Sequence, residues 1–250
     1  MHPSLFSLFG YPVGAYGFFM AAAQLIGALA ALTLARSDRR PIGPFLDMLF
    51  AVLFFGLLGA RLGYAFNRWE EFQSKPWELF SIEKDGLSFF GGFAPGFFAF
   101  VGVARWRKIP VLAAGDLLCP VLPLSLAIMR VGCFLAGCCY GAPTNVPWAI
   151  TFFRLDSKVP LPLIGLSLHP SQLYEVMFLL ILAATLALLH RRKLFPAGIL
   201  ATFSIFSYSL FRLAADFFRG DLDRGFWGQT WMAPTQAAAI LGVLATPIVL

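Results

Sequence analysis

Apolar residues fall in long unbroken runs along this chain, separated by short stretches rich in arginine, lysine, glycine and aspartate. Runs long enough to cross a bilayer lie at about 13–35, 44–67, 87–104, 111–136, 173–190, 197–216 and 232–250. A spanning helix needs about 20 apolar residues. The pattern therefore predicts an all-α integral membrane protein of about seven transmembrane helices. They form a single transmembrane domain over 1–250, with no internal repeat and no low-complexity linker. The N-terminus lacks a basic n-region and the first run is long enough to span, so no cleavable leader is expected.

The polar stretches set the orientation. Arg36, Arg39 and Arg40 follow the first run, Arg105, Arg107 and Lys108 the third, and Arg191, Arg192 and Lys193 the fifth. Short loops this basic belong on the cytoplasmic side. The alternate loops mix signs or carry few charges: 68–85, 137–172 and 217–231. An odd number of spans with the N-terminus outside and the C-terminus cytoplasmic satisfies every loop. The polar and unusual sequence then lies at the outer face, chiefly in a loop region at about 137–172, and function is expected there or in a cavity opening to it.

Composition agrees: 59% of the 250 residues are hydrophobic and 13% charged, where a soluble domain has about 25% charged. The net charge of +6 does not indicate a nucleic-acid partner, because the basic residues form no continuous patch. Cys119, Cys133, Cys138 and Cys139 have no paired CxxC spacing, so no metal site is expected from spacing alone.

Charged side chains inside apolar runs change the picture further. Asp47, Arg61, Asp116, Arg130, Arg212 and Asp216 lie within or at the ends of such runs, where a central charge costs about 2.5–3.5 kcal/mol on translocon scales. Arg61, Arg130 and Arg212 fall near the outer ends of the second, fourth and sixth spans. Guanidinium suits bidentate phosphate binding, so three at one depth suggest a phosphate pocket. The alternative is structural pairing: Arg212 and Asp216 are four apart and share a helix face. Asp47 and Asp116, near inner helix ends, read as helix-end or packing groups. Gly91, Gly92, Pro95 and Gly96 interrupt the third run, which lets backbone approach a ligand or another helix.

Several motifs, in order, resemble the prolipoprotein diacylglyceryl transferases. Gly14-Ala15-Tyr16-Gly17 is similar to the tyrosine-glycine pair of the family's first helix, and Gly59-Ala60-Arg61-Leu62-Gly63-Tyr64 to its GGRxGY. Asp85 to Gly92 resembles GGLSFHGG, and Arg130 to Gly141 resembles the signature around RxGNFxNxExxG. His169 to Glu175 reads HPSQLYE, as in the family. Tyr208, Arg212, Asp216 and Arg219 match its YxxxRxxxExxR.

The resemblance implies transfer of a diacylglyceryl group from phosphatidylglycerol to the lipobox cysteine thiol of a lipoprotein precursor, with glycerol 1-phosphate released. It implies a multi-pass protein of the bacterial cytoplasmic (inner) membrane among membrane lipids, needing no cofactor and no metal. Arg130, Arg212, Tyr16 and Asp216 take the catalytic roles on this reading. Arg61, Gly91, Gly92, Gly141, His169, Tyr174, Glu175, Tyr208 and Arg219 take substrate-binding ones. For His169 the residues alone also allow a helix-start group bonded to a loop.

The sequence departs from the family where chemistry is expected. Phe90 replaces the histidine of SFHGG, a group suited to accept a proton. Cys133 replaces asparagine, Ala136 a second asparagine, Cys138 an acidic residue, and Asp216 a glutamate. Two rivals stay open: a phospholipid-binding paralogue without catalysis, and a membrane thiol oxidoreductase using Cys138 and Cys139. Retinal attachment needs a lysine in the last span, and the lack of lysine in 232–250 argues against a retinal protein.

Overall fold

The chain starts as a short antiparallel hairpin, β1 (Ser4–Leu8) and β2 (Tyr11–Gly14), that runs directly into the first long helix, α1 (Ala15–Ser37). The computed structural model describes residues 3–8, 11–74, 77, 79, 87–220 and 240. The described chain divides into two compact units, Met1–Ala30 with Gly115–Leu250, and Ala31–Ala114.

In the second unit α2 (Ile42–Asn67), the short α3 (Trp69–Ser74) and α4 (Phe89–Trp106) follow α1. Helices α2 and α4 pack closely because glycines face glycines. A Cβ on Gly63 would lie 2.7 Å from Gly91 Cα, and one on Gly92 would lie 2.8 Å from the Gly56 carbonyl oxygen. Without side chains between them the two backbones reach van der Waals contact, which in lipid is the main source of helix association. The Ser88 hydroxyl caps α4 by accepting from Gly91 N at 3.2 Å, and Asp47 near the start of α2 is ion-paired with Arg107 past the end of α4. Substituting Gly92 with valine is expected to lower stability in mixed micelles by about 1–3 kcal/mol, the usual cost of overpacking. An unfolding midpoint equal to the parent's would show that this seam tolerates a side chain.

Helix α5 (Val111–Leu118), of which Gly115–Leu118 belong to the first unit, and α6 (Val121–Ala136) meet at a 42° bend. Pro120 sits at the break and has no N–H to continue a helix. Next come a structured loop, then α7 (Ser171–Arg192) and α8 (Ile199–Ala215), the latter extended by a 3₁₀ turn over Asp216–Phe218. The buried face of α7 recurs at helical spacing, with Ser171, Gln172, Glu175, Leu179, Leu182, Ala183 and Leu186 inward. Phe178 stacks on Phe211 of α8 with ring centroids 4.1 Å apart. Asp116 of α5 caps α8: its two oxygens accept from Gly198 N at 2.6 Å and Ala201 N at 2.8 Å. Gly198, at the N-cap, has no side chain to do this itself, so the packing role expected for Asp116 takes this form.

The loop between α6 and α7 is ordered by its own small core. Strands β3 (Ile150–Thr151) and β4 (Ser167–Leu168) pair over buried Tyr140, Phe152, Val159 and Leu168.

Among the described residues, α1, α2, α7 and α8 with its 3₁₀ turn are long and apolar enough to cross a membrane, and the bent α5–α6 pair makes a fifth. Their outward residues are apolar, as on Phe50, Phe54, Met177, Ile181 and Leu188. The chain is thus a mostly helical membrane protein. The third expected span is the 18-residue α4 with Pro95 inside, which falls outside that set. The run at 232–250, apart from Ile240, and the segment 221–231 lie outside the described residues.

Candidate active site

Helices α6, α7 and α8 alternate in direction, so the C-terminal ends of α6 and α8 meet the N-terminal end of α7. Each brings charge to that end. Arg130 lies on the last two turns of α6, Glu175 just past the first turn of α7, and Arg212 on the last turn of α8. Glu175, 3% exposed, is the hub. Its Oε2 lies 2.9 Å from Arg130 Nε and 3.5 Å from Arg212 Nη1, and its Oε1 accepts from the Tyr208 hydroxyl at 2.7 Å. Arg212 Nη2 donates to Asp216 Oδ1 at 2.9 Å, one helical turn on. Two guanidiniums and two carboxylates therefore alternate in a buried, charge-balanced network.

Charges this deep persist only when paired, and here each has an opposite partner. The Arg130–Glu175 contact is an ion pair out of line for a hydrogen bond, so Arg130 Nε is a buried donor without an aligned acceptor. Arg130 Nη1 instead reaches Cys139 Sγ at 3.4 Å.

A turn after α6 brings the thiols of Cys138 and Cys139 to that of Cys133, on α6 itself, beside this network. Gly137 at φ 78° and Cys139 at φ 59° are both left-handed, which folds the chain back on the helix end. Glycine takes such a φ freely, whereas a non-glycine residue held there costs about 1–2 kcal/mol. Ser171 Oγ donates to the Cys139 carbonyl and Gln172 Nε2 to the Cys138 carbonyl, both at 2.8 Å. These bonds hold the turn in place. The Sγ atoms of Cys133, Cys138 and Cys139 lie within 4.8 Å of one another, and all three are free thiols. Hydrogen bonds from Cys133 and Cys138, then the fields of Arg130 and Arg219, bring the Cys139 thiol below its ordinary range.

The remaining expected residues divide. Tyr16 of α1 lies within electrostatic reach of Arg130 and the three cysteines, with Lys158 Nζ 5.7 Å from its ring centroid. Arg219 pairs by its backbone with Gly141, bringing the segment after α8 against the loop after α6. A Cβ on Gly141 would fall on the backbone of His169, so this glycine serves close chain approach. His169 N donates to the Ala142 carbonyl at 3.0 Å, and its Nδ1 shares a hydrogen bond with the Tyr174 hydroxyl at 3.1 Å. Tyr174 also accepts from Trp148 Nε1 at 2.8 Å, and Phe218 packs edge-on against both rings. His169 and Tyr174 thus latch the loop to the start of α7, the helix-start alternative for His169.

Three expected residues belong to the second unit. Gly91 and Gly92 lie in the α2–α4 seam, which is the helix-packing alternative for them. Arg61 Nε donates to the Leu79 carbonyl at 2.8 Å, with its guanidinium near the rings of Tyr64 and Phe72. An open apolar cavity of ≈ 740 Å³, lined by Leu62, Phe66, Trp69, Phe72, Leu79 and Pro95 among others, lies in the same unit. Phe90 is in the first turn of α4, and its side chain lies outside the described ones. Sequence reasoning missed Ser171, Gln172 and Trp148. The first two sit in the HPSQLYE motif, and a serine and glutamine opening an apolar helix were the available signal.

Comparison with known proteins gives this geometry its family. The sequence model described as prolipoprotein diacylglyceryl transferase matches residues 3–250. Curated proteins similar to this chain carry the name phosphatidylglycerol--prolipoprotein diacylglyceryl transferase. One from Nitrosospira multiformis is 34% identical over 77% of this chain and 66% of its own length. One from Geobacter sulfurreducens is 38% identical over 69% of this chain and 64% of its own length. One from Mannheimia succiniciproducens is 32% identical over 99% of this chain and 89% of its own length. The matched region thus spans about two thirds of the first two relatives and most of the third. With a family match over nearly the whole sequence and relatives above 30% identical over most of it, this chain belongs to the prolipoprotein diacylglyceryl transferase family.

Proposed function

We propose that this protein transfers the diacylglyceryl group of phosphatidylglycerol to the lipobox cysteine of lipoprotein precursors. The observation that carries the reading is the convergence of buried Arg130 and Arg212 on one carboxylate in a chain of this family. In the reaction the thiolate sulfur forms a bond to the glyceryl carbon that bears the phosphate ester. The carbon–oxygen bond breaks and its electron pair leaves on the phosphate oxygen as glycerol phosphate. That oxygen gains charge in the transition state, and fixed cations lower its energy most where water is excluded. Arg130, with a buried donor out of line with Glu175, and Arg212 supply them. Asp216 and Tyr16 stand nearest in role to the proton transfer that Phe90 cannot perform.

The protein sits in the bacterial cytoplasmic membrane with seven spans, the N-terminus outside and the site at the outer leaflet. Lipid enters sideways from the bilayer, the precursor presents its cysteine at the same leaflet, and Arg61, Tyr208 and Arg219 contribute to holding the lipid. The test is incubation of purified protein with phosphatidylglycerol and a lipobox peptide, following thioether product by mass spectrometry. Product is expected with the cysteine peptide and not with its serine analogue. Lipid binding without product would replace the reading by the phospholipid-binding alternative, which the phenylalanine at position 90 favours.

A further inference from the structure

We propose that Cys133, Cys138 and Cys139 hold a thiophilic dication of the zinc class, whose open fourth position binds and deprotonates the acceptor cysteine. This rests on the transferase reading for its chemical step, though not for the metal site itself.

The first observation is geometric. Three sulfurs on a tetrahedral zinc, each about 2.3 Å from the metal, stand roughly 3.8 Å apart. Those of Cys133, Cys138 and Cys139 already lie within 4.8 Å of one another, and no disulfide joins them. Small side-chain rotations close the rest. The second is preorganisation. The left-handed Cys139 and the bonds from Ser171 and Gln172 to the Cys139 and Cys138 carbonyls fix the backbone that presents the thiols. Outer partners of this kind orient metal ligands. The third is charge. Three thiolates around a dication leave one negative charge, and Arg130 Nη1 stands 3.4 Å from Cys139 Sγ to offset it. The fourth is access: Cys133 is buried, whereas Cys138 and Cys139 are partly exposed, so a fourth ligand can approach. Spacing along the chain gave no metal motif, because the set is completed by a reversal of the backbone after α6.

A three-ligand zinc with an open position is the arrangement that activates an incoming group, and a coordinated thiol is deprotonated outright. The precursor thiol would bind as thiolate, releasing its proton to water at the outer face. Its sulfur then attacks the glyceryl carbon beside Arg130, the carbon–oxygen bond breaks, and glycerol phosphate departs. The neutral thioether is a poorer ligand and leaves the metal. The site would supply the thiolate in a chain where phenylalanine replaces the family histidine, a contribution of about 10²–10⁴-fold for such proton transfer.

The experiment loads reduced, purified protein with Zn²⁺ and separately with Co²⁺. The expected result is one metal per chain, with thiolate-to-cobalt charge-transfer absorption that shifts on adding the lipobox peptide and not its Cys→Ser analogue. Chelation is expected to cut thioether formation at least about 10²-fold, with Zn²⁺ restoring it. C139S and the triple variant C133S/C138S/C139S should lose the absorption while circular dichroism and lipid binding confirm folding. If the triple variant misfolds, C139S alone decides. Absence of stoichiometric metal, or metal retained by C139S with its absorption unchanged, overturns the site while product formation leaves the transferase reading standing. A spectrum insensitive to the peptide thiol, or full activity after chelation, overturns the activating role. A spectrum that responds to the thiol with no product formed supports the metal site and overturns the transferase reading instead.

Discussion

Arg212→Ala is expected to lower thioether formation by about 10²–10³-fold, the usual cost of removing one fixed donor from a charge that develops in the transition state. The side chain of Arg212 is 6% exposed and holds both Glu175 and Asp216. Its removal leaves two carboxylates against the single guanidinium of Arg130, so the network turns from balanced to negative and no longer offsets the charge that develops on the leaving phosphate oxygen. The loss should fall mainly on kcat, since stabilisation needed only when charge develops leaves ground-state binding less affected. Arg212→Lys separates charge from geometry. It keeps the cation but not a planar fork able to bridge two acceptors, and so should recover only part of the rate. Steady-state kinetics with phosphatidylglycerol in mixed micelles and a lipobox peptide check both. An Arg212→Ala enzyme within a few-fold of the parent would remove this residue from the chemistry.

Glu175→Ala is expected to cost about 3–5 kcal/mol of stability, the penalty for breaking a buried ion pair from one side. The carboxylate stands between Arg130 and Arg212 and also accepts from Tyr208. Removing it leaves two buried cations facing each other and a phenol without that acceptor. Glu175→Gln keeps the shape and an acceptor for Tyr208 while deleting the charge, so it should lose less, about 1–3 kcal/mol. Denaturant unfolding in the same micelles gives the comparison. Equal stability of Glu175→Ala and the parent would mean that the arginines are solvated or paired elsewhere. Both variants should also slow transfer, because on the proposed mechanism Glu175 positions the arginines that would meet the phosphate.

The two sets of substitutions report on different links of one chain of causes. Arginine variants probe what the network does to substrate. Glutamate variants probe what the network does for itself. An enzyme that survives unfolding in Glu175→Gln yet transfers slowly would show the orientation of Arg130 and Arg212, rather than their presence, to be limiting.

By itself the sequence determined the membrane class, because long apolar runs have no stable place in water and need no tertiary context to be read. It located α1, α2, α7 and α8 for the same reason. The i, i+4 spacing of Arg212 and Asp216 was likewise local, and the ion pair they form follows from one helical turn. Motif order gave the family. Tertiary structure decided the rest. Gly91 and Gly92 read equally as ligand contacts or packing, and only the facing glycines of α2 make them packing. Tyr174 and Glu175 are neighbours in the same motif, yet Tyr174 latches the loop before α7 while Glu175 turns inward, since neighbours on a helix point about 100° apart. Arg61, grouped with Arg130 and Arg212 by depth in the bilayer, bonds Leu79 within its own compact unit, a partner that depth along a helix axis does not specify. The three cysteines, without any metal-binding spacing, meet because two consecutive reversals of backbone hand at Gly137 and Cys139 fold the chain back on itself. Periodicity and composition are properties of neighbours in the chain; the convergence of Arg130, Glu175 and Arg212 across 82 residues is a property of three helices packed side by side in alternating direction.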